Sequence, residues 1–190
     1  MYVILVYIHA GSLALCVKHL LIQCIHEEHL FVLETLNQRL CSFNYGHADS
    51  KNRPSPILPR HLSAEGSLKQ SGRRVCVCMC AWVWVYMCQF CTHSWFVACQ
   101  MWCLGRCLPI LIGDLIPEEH PYWNNFLLLL DIVNELFAPV THPHRADYLS
   151  IIVGEFLEDF KELYPNRPLT PKMHYMVHMP TWTKRYVLLK

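Results

Sequence analysis

The sequence predicts an all-α fold, an irregular antiparallel helical bundle, on three observations. Apolar residues recur at steps of three and four through most of the chain. Pro121, Pro139, Pro165 and Pro168 bracket the clearest of these runs. No hairpin signal and no alternation of strand and helix patterns breaks the series. One stretch, residues 73–99, fits none of this and is treated separately below.

Composition bounds the rest. A chain of 190 residues is long enough for one domain with a substantial core. The hydrophobic class makes up 53% and charged residues only 16%, with a net charge of +1. No bulk field therefore draws the chain to nucleic acid or to an anionic membrane. Twelve histidines would add charge as pH falls toward about 6. Eleven cysteines suggest a disulfide scaffold until their positions are read. Six fall between Cys76 and Cys99; Cys16, Cys24, Cys41, Cys103 and Cys107 are scattered among apolar residues. That scatter predicts free, buried thiols in a reducing compartment, nuclear or cytoplasmic.

The elements follow in order. Residues 1–25 are mostly apolar, but the segment lacks an early Lys or Arg, and Lys18 and His19 interrupt it, so a signal peptide fits poorly. A core helix from about Ser12 to Cys24 is expected, with Leu13, Val17, Leu20, Leu21 and Cys24 on one face. "HEEHLFVLETLNQRLCSF" predicts a second helix, with Glu27 and Glu28 in its first turn, Arg39 in its last, and Leu30, Leu33, Leu36 and Leu40 as its stripe. "NYGHADSKNRPSPILPRH" reads as a loop or linker. Its basic residues Lys51, Arg53 and Arg60 can touch nucleic-acid phosphates; a solvated loop is the plainer reading.

Further on, a helix opens near Pro121 and stops before Pro139. The next is closed by Pro165 and Pro168. Tyr148, Ile151, Ile152, Phe156, Phe160 and Leu163 form its apolar face, and Glu155, Glu158, Asp159 and Glu162 its wet one. A shorter helix, "PKMHYMVHM", ends at or near Met179 before Pro180.

The exceptional stretch begins "RRVCVCMCAWVWVYMCQFC". Val75 to Gly105, 31 residues, contains no Asp, Glu, Lys or Arg. A membrane span through 75–98, and another through 1–25, is one reading. A buried strand would be apolar on both faces. Cys88 and Cys91 have C-x-x-C spacing, but no matching second knuckle follows. A translated TG repeat fits better. TGT and GTG encode Cys and Val, and Met, Ala, Trp and Tyr each lie one base away. Without residues 73–99 the flanks join as "SLKQSGQMWCLGRCLPILIGDL". That is a helical segment with start signals at Ser63, Gly66 and Ser67 and apolar Leu68, Trp102, Leu104, Leu108 and Leu111. The expected organisation is thus an N-terminal helical part with its Pro-rich loop (1–72), a non-native insert (73–99) and a C-terminal helical part (100–190).

Candidate chemistry is sparse. His174 and His178 share a helix face at i, i+4, a spacing used by zinc helices, yet no third ligand and no base is marked. His142 and His144 stand in a Pro-flanked loop nearby. Asp131 with Glu135, and the four acids from Glu155 to Glu162, could hold Mg²⁺, but a solvated face accounts for them. No phosphate loop or nucleophile elbow occurs. No catalytic, cofactor-binding or metal-binding residue is assigned, and no cofactor is expected.

"LPILIGDLIP" and "LYPNRPLTPKMHYMVHMP" carry a resemblance. Outside the insert, roughly residues 11–72 and 100–186 resemble uncharacterised transposon-derived proteins of animal genomes. Those proteins are distantly similar to the C-terminal domain of unknown function in CACTA-type (En/Spm) transposases. The resemblance implies a helical region that accompanies an RNase H-like, two-metal core lying mainly upstream. Relatives carry a His-Asp pair before "SLALCVKHL", where this chain has His9 and no Asp, and continue past "HMP" into a Phe-Gly-Pro segment. No active-site residue carries over. The expectation is a truncated, transposon-derived helical protein, not an enzyme, with a role in protein or nucleic-acid contacts. A small membrane protein is the alternative.

Overall fold

A computed structural model describes residues 2–63, 68, 88–138, 144–167 and 169–187. Among these the fold is all-α and contains no strand. The helices are α1 (Tyr2–Ile22), α2 (Leu33–Ser42), α3 (Gly46–Asp49), α4 (Pro59–Leu62), α5 (Cys88–Ile112), α6 (Pro121–Phe137), α7 (Arg145–Leu163), α8 (Pro171–His174) and α9 (Met179–Val187). They group into two compact units, Met1–Leu115 and Ile116–Lys190.

In the first unit α1 packs against α5. Leu13, Val17, Leu20, Leu21 and Cys24, the predicted stripe, are all buried. The helix itself begins ten residues earlier than expected, at Tyr2 rather than Ser12. The crossing with α5 is close because Gly105 has no side chain; a Cβ there would stand 2.8 Å from Leu13 Cδ2. Four residues on, Pro109 sits inside α5 and offers no N–H to the carbonyl of Gly105. Buried Met101, Leu104, Leu108, Leu111 and Ile112 continue the α5 face.

The second predicted helix starts later than the sequence suggests. α1 runs into a π-helical turn, Gln23–Glu27, and His29 reverses the chain at a φ of 54°. Glu27 and Glu28 therefore close the first helix instead of opening the second, which begins at Leu33. Leu33, Leu36 and Leu40 are buried as expected, while Leu30 is half-buried.

Polar side chains then tie the unit together. Lys18 Nζ donates to the Ser63 carbonyl at 2.7 Å. Asn37 donates to the Ile57 carbonyl and accepts from the Ile57 N–H, both at 2.8 Å. Ile57 is fully buried, so the amide satisfies both backbone groups of a residue that no helix or sheet serves. Arg39 donates to the Leu111 carbonyl at 2.7 Å and pairs with both oxygens of Asp114. A cation thus meets the C-terminal end of α5, where the helix dipole favours it.

In the second unit α6 and α7 form an antiparallel pair. Asn125 Nδ2 donates to the Phe156 carbonyl at 3.0 Å, and Arg145 Nε lies 3.0 Å from Glu135 Oε2. α6 opens on Pro121, as predicted, but its cap is unusual. His120 Nδ1 accepts from the Trp123 N–H at 3.2 Å, the role normally taken by Ser, Thr, Asp or Asn. α9 packs on the same α7.

Two predicted features of this unit are corrected. The buried face of α7 is Ala146, Leu149, Ile152, Val153, Phe156, Leu157 and Phe160. Tyr148 and Ile151, 49% and 59% exposed, lie outside it. α7 carries apolar residues over more than one face, and the positions of α6 and α9 decide which of them are covered. The last helix does not stop before Pro180. A 3₁₀ turn, Tyr175–His178, leads into α9, and Pro180 occupies its first turn, where no intrahelical N–H is required.

The proposed insert is described only in part. Residues 73–87, with Gly66 and Ser67 before them, lie outside the described residues, as do the side chains of 88–98. The α5 backbone runs continuously from Cys88 through residue 99.

Candidate functional site

The first unit gathers its reactive side chains around Tyr45, between α2 and α5. Tyr45 follows the end of α2, and Oη donates to the Leu40 carbonyl at 3.1 Å. The Arg53 guanidinium lies 5.9 Å from the Tyr45 ring centroid and donates to the Cys41 carbonyl. Arg106, on α5, stands 6.0 Å from the Trp102 ring centroid and 3.7 Å from an Asp49 carboxylate oxygen. Gln100 Nε2 donates to the Arg53 carbonyl at 3.4 Å, while its buried Oε1 has no protein partner among the described residues.

Cys103 and Cys107, one turn apart on α5, complete the cluster. Both are buried free thiols. Burial pushes the Cys103 thiol up to about 12, helped by its neighbour Cys107. Burial also raises Cys107, but the Arg106 charge pulls the other way. Burial and the two thiols likewise push the Tyr45 phenol up to about 12. These groups are protonated at neutral pH and are not nucleophiles as they stand.

The remaining cysteines divide. Cys16 and Cys24 are buried, and burial raises both, Cys24 to about 12. Cys41 is exposed, contrary to the expectation of a buried thiol. It lies near the C-terminal end of α2, off the stripe formed by Leu33, Leu36 and Leu40.

The basic loop residues are not equivalent. Lys51 and Arg60 are exposed, whereas Arg53 is held by Tyr45 and the Cys41 carbonyl. Their segment is also less irregular than predicted. It contains α3, a 3₁₀ turn at Ser50–Asn52 and α4, each too short to register as an apolar period.

In the second unit His174 and His178 come together edge to face, with ring centroids 5.4 Å apart. Both are exposed, and Trp182 continues the stack 6.3 Å beyond His178. Met173, Met176 and Met179 turn inward, whereas Val177 is half exposed. His142 lies outside the described residues, as does the His9 side chain. Asp131 is exposed, while Glu135 is taken up by Arg145. Glu155, Glu158, Asp159 and Glu162 all face solvent. Among the described residues no three His, Cys, Asp or Glu side chains are grouped to hold a metal ion. Nor is any described helix long and apolar enough to cross a membrane; of the span considered at 75–98, residues 75–87 lie outside that statement.

The polar contacts that sequence reasoning missed are Asn37 with Ile57, Lys18 with Ser63, and Arg145 with Glu135. The residues of the first two pairs stand 20 and 45 positions apart. Only Arg39 carried a signal, as a cation in the last turn of a helix. No family model, no curated protein and no solved structure matches the chain.

Proposed function

We propose that this chain is a transposon-derived helical protein without catalytic activity of its own, acting in the nucleus or cytoplasm through contacts with other proteins. The observation that supports this reading most is where its polar groups are engaged. Arg39, Asn37, Lys18, Asn125, His120 and Arg145 bind backbone groups or a neighbouring side chain and hold helices in place. The surface of the second unit, by contrast, exposes Tyr148, Ile151, Tyr175 and Val177, with the four acids of α7 also solvent-facing. Apolar and acidic groups together suit a protein partner better than a phosphate backbone. The resemblance of "LPILIGDLIP" and "LYPNRPLTPKMHYMVHMP" to transposon-derived proteins supplies the proposed origin.

Nucleic-acid contact is the second reading, through exposed Lys51 and Arg60. A salt titration separates the two. Two phosphate contacts give a slope of log affinity against log salt no steeper than about −2. A slope near that value for binding to duplex DNA, brought close to zero in K51A/R60A, would favour nucleic acid.

Catalysis has its own test. Purified chain incubated with Mg²⁺ or Mn²⁺ and supercoiled DNA should produce no nicking. Metal-dependent nicking that disappears in D131N or E135Q would refute the proposal.

A further inference from the structure

We infer that the outward face of α7 docks a basic amphipathic helix of a partner protein. This rests on the reading above that the chain works through protein contacts, and it names the partner's chemistry. α6 and α9 pack on α7, yet Tyr148 and Ile151 remain 49% and 59% exposed.

Helix geometry makes the exposed residues one surface. At 3.6 residues per turn, Tyr148, Ile151, Glu155, Glu158, Asp159 and Glu162 fall within an arc of about 100°. All six are exposed. The arc runs about 21 Å along the helix, apolar in its N-terminal part and acidic in its C-terminal part. Among the described residues none of the four acids has an ion pair. Asp147, beside Tyr148, is answered by Lys184 at 3.5 Å. Lys161, the other cation of the outer surface of α7, lies off the arc.

Gly154 is an independent sign of what approaches. It borders the arc, one turn from both Ile151 and Glu158. A methyl built on it would meet nothing within 4 Å. Glycine inside a helix costs stability relative to alanine, and here, unlike at Gly105, no packing among the described residues requires it. A missing side chain lets a second helix backbone come close beside the two apolar groups. Charge then selects the occupant. Four unpaired carboxylates repel phosphate backbones and anionic membranes and complement Lys or Arg. A second copy of the chain would bring the same acids and no answering cation on this face. The matching partner is a helix of about four turns, apolar against Tyr148 and Ile151 and basic against the acids.

The test uses the full-length chain and a fluorescein-labelled synthetic helix of about 18 residues built from Leu, Ala and Lys. One face of it carries Leu in one half and Lys in the other. The controls are a scrambled peptide of the same composition and a version with Glu in place of Lys. Fluorescence anisotropy should show the patterned peptide bound and both controls at least about tenfold weaker. I151S and E158K/E162K should each weaken binding at least about tenfold. G154L should weaken it as well without lowering the melting temperature, because open space receives the new side chain. K51A/R60A should leave it unchanged. Y148S replaces I151S if circular dichroism shows the latter unfolded. Four results would each overturn the face: no binding of the patterned peptide, equal binding of the scrambled one, wild-type affinity in folded G154L or I151S, or a dimer in sedimentation that I151S dissolves. Metal-dependent DNA nicking would instead sink the non-catalytic reading and leave the peptide result standing.

Discussion

Replacing Asn37 tests the most specific contact in the first unit. Its amide donates to the Ile57 carbonyl and accepts from the Ile57 N–H, both at 2.8 Å. Ile57 is fully buried, and it lies outside every helix. Asn37→Ala leaves one buried donor and one buried acceptor unpaired. Each such group costs about 1–3 kcal/mol when no water reaches it. Asn37 itself is only half-buried, so water can follow part of the truncation. The expected loss is about 2–4 kcal/mol. Asn37→Leu should cost at least as much, because it fills the space and keeps water out. Asn37→Asp retains the acceptor but turns a carboxylate toward the carbonyl, so it should destabilise as well. Urea unfolding followed by circular dichroism and by tryptophan fluorescence would measure this. Two compact units are present, so both probes are needed to show whether one transition or two is being read. A midpoint change equivalent to less than about 0.5 kcal/mol for both Ala and Leu would refute the argument.

Gly105→Ala should destabilise by about 1–3 kcal/mol, since its methyl meets Leu13 Cδ2 at 2.8 Å. Combining it with Leu13→Ala should cost less than the sum of the two single changes; strict additivity in urea melts would show that the helices do not cross there. Glu135→Gln removes the counter-charge 3.0 Å from the buried Arg145 and should cost about 1–3 kcal/mol, discounted for the exposure of the glutamate. Arg145→Leu should cost less than Glu135→Gln, because it leaves no buried charge; the reverse order would count against the pairing. The Arg39 hydrogen bonds hold the Asp114 carboxyl below the usual carboxylate range. That contribution is present above the unfolded value of about 3.9 and is lost as pH falls through the lowered one, so Asp114→Asn should flatten the acid limb of stability against pH. His174→Ala should change stability by about 1 kcal/mol or less, the ring being exposed, and zinc should not shift the melting temperature of the parent chain.

The Tyr45 cluster was the least legible part of the chain. Cys103 and Cys107 were visible only as a helical repeat, and Arg53 only as a basic loop residue. What joins them is the approach of α2 and its following turn to α5, segments about sixty residues apart in sequence. His174 and His178, by contrast, were legible as a pair from their spacing, although a 3₁₀ turn rather than an unbroken α-helix joins them.

The sequence by itself determined the helical class, the opening of α6 at Pro121 and the buried stripe of α1. Local rules suffice there: apolar period, proline and helix length act within one segment. It also identified Leu33, Leu36 and Leu40 as the buried side of α2. Only the tertiary structure decided that Tyr148 and Ile151 face solvent while Leu149 and Val153 do not. An apolar residue on a helix with a broad apolar surface is buried or exposed according to which neighbours arrive. Only the tertiary structure placed a π-helical turn and a reversed His29 before α2, and carried a helix through Pro180. The π-helical turn and the positive φ of His29 are conformations that local preference disfavours, with distant packing supplying the free energy that propensity alone does not, whereas Pro180 stands in a first turn that tolerates proline.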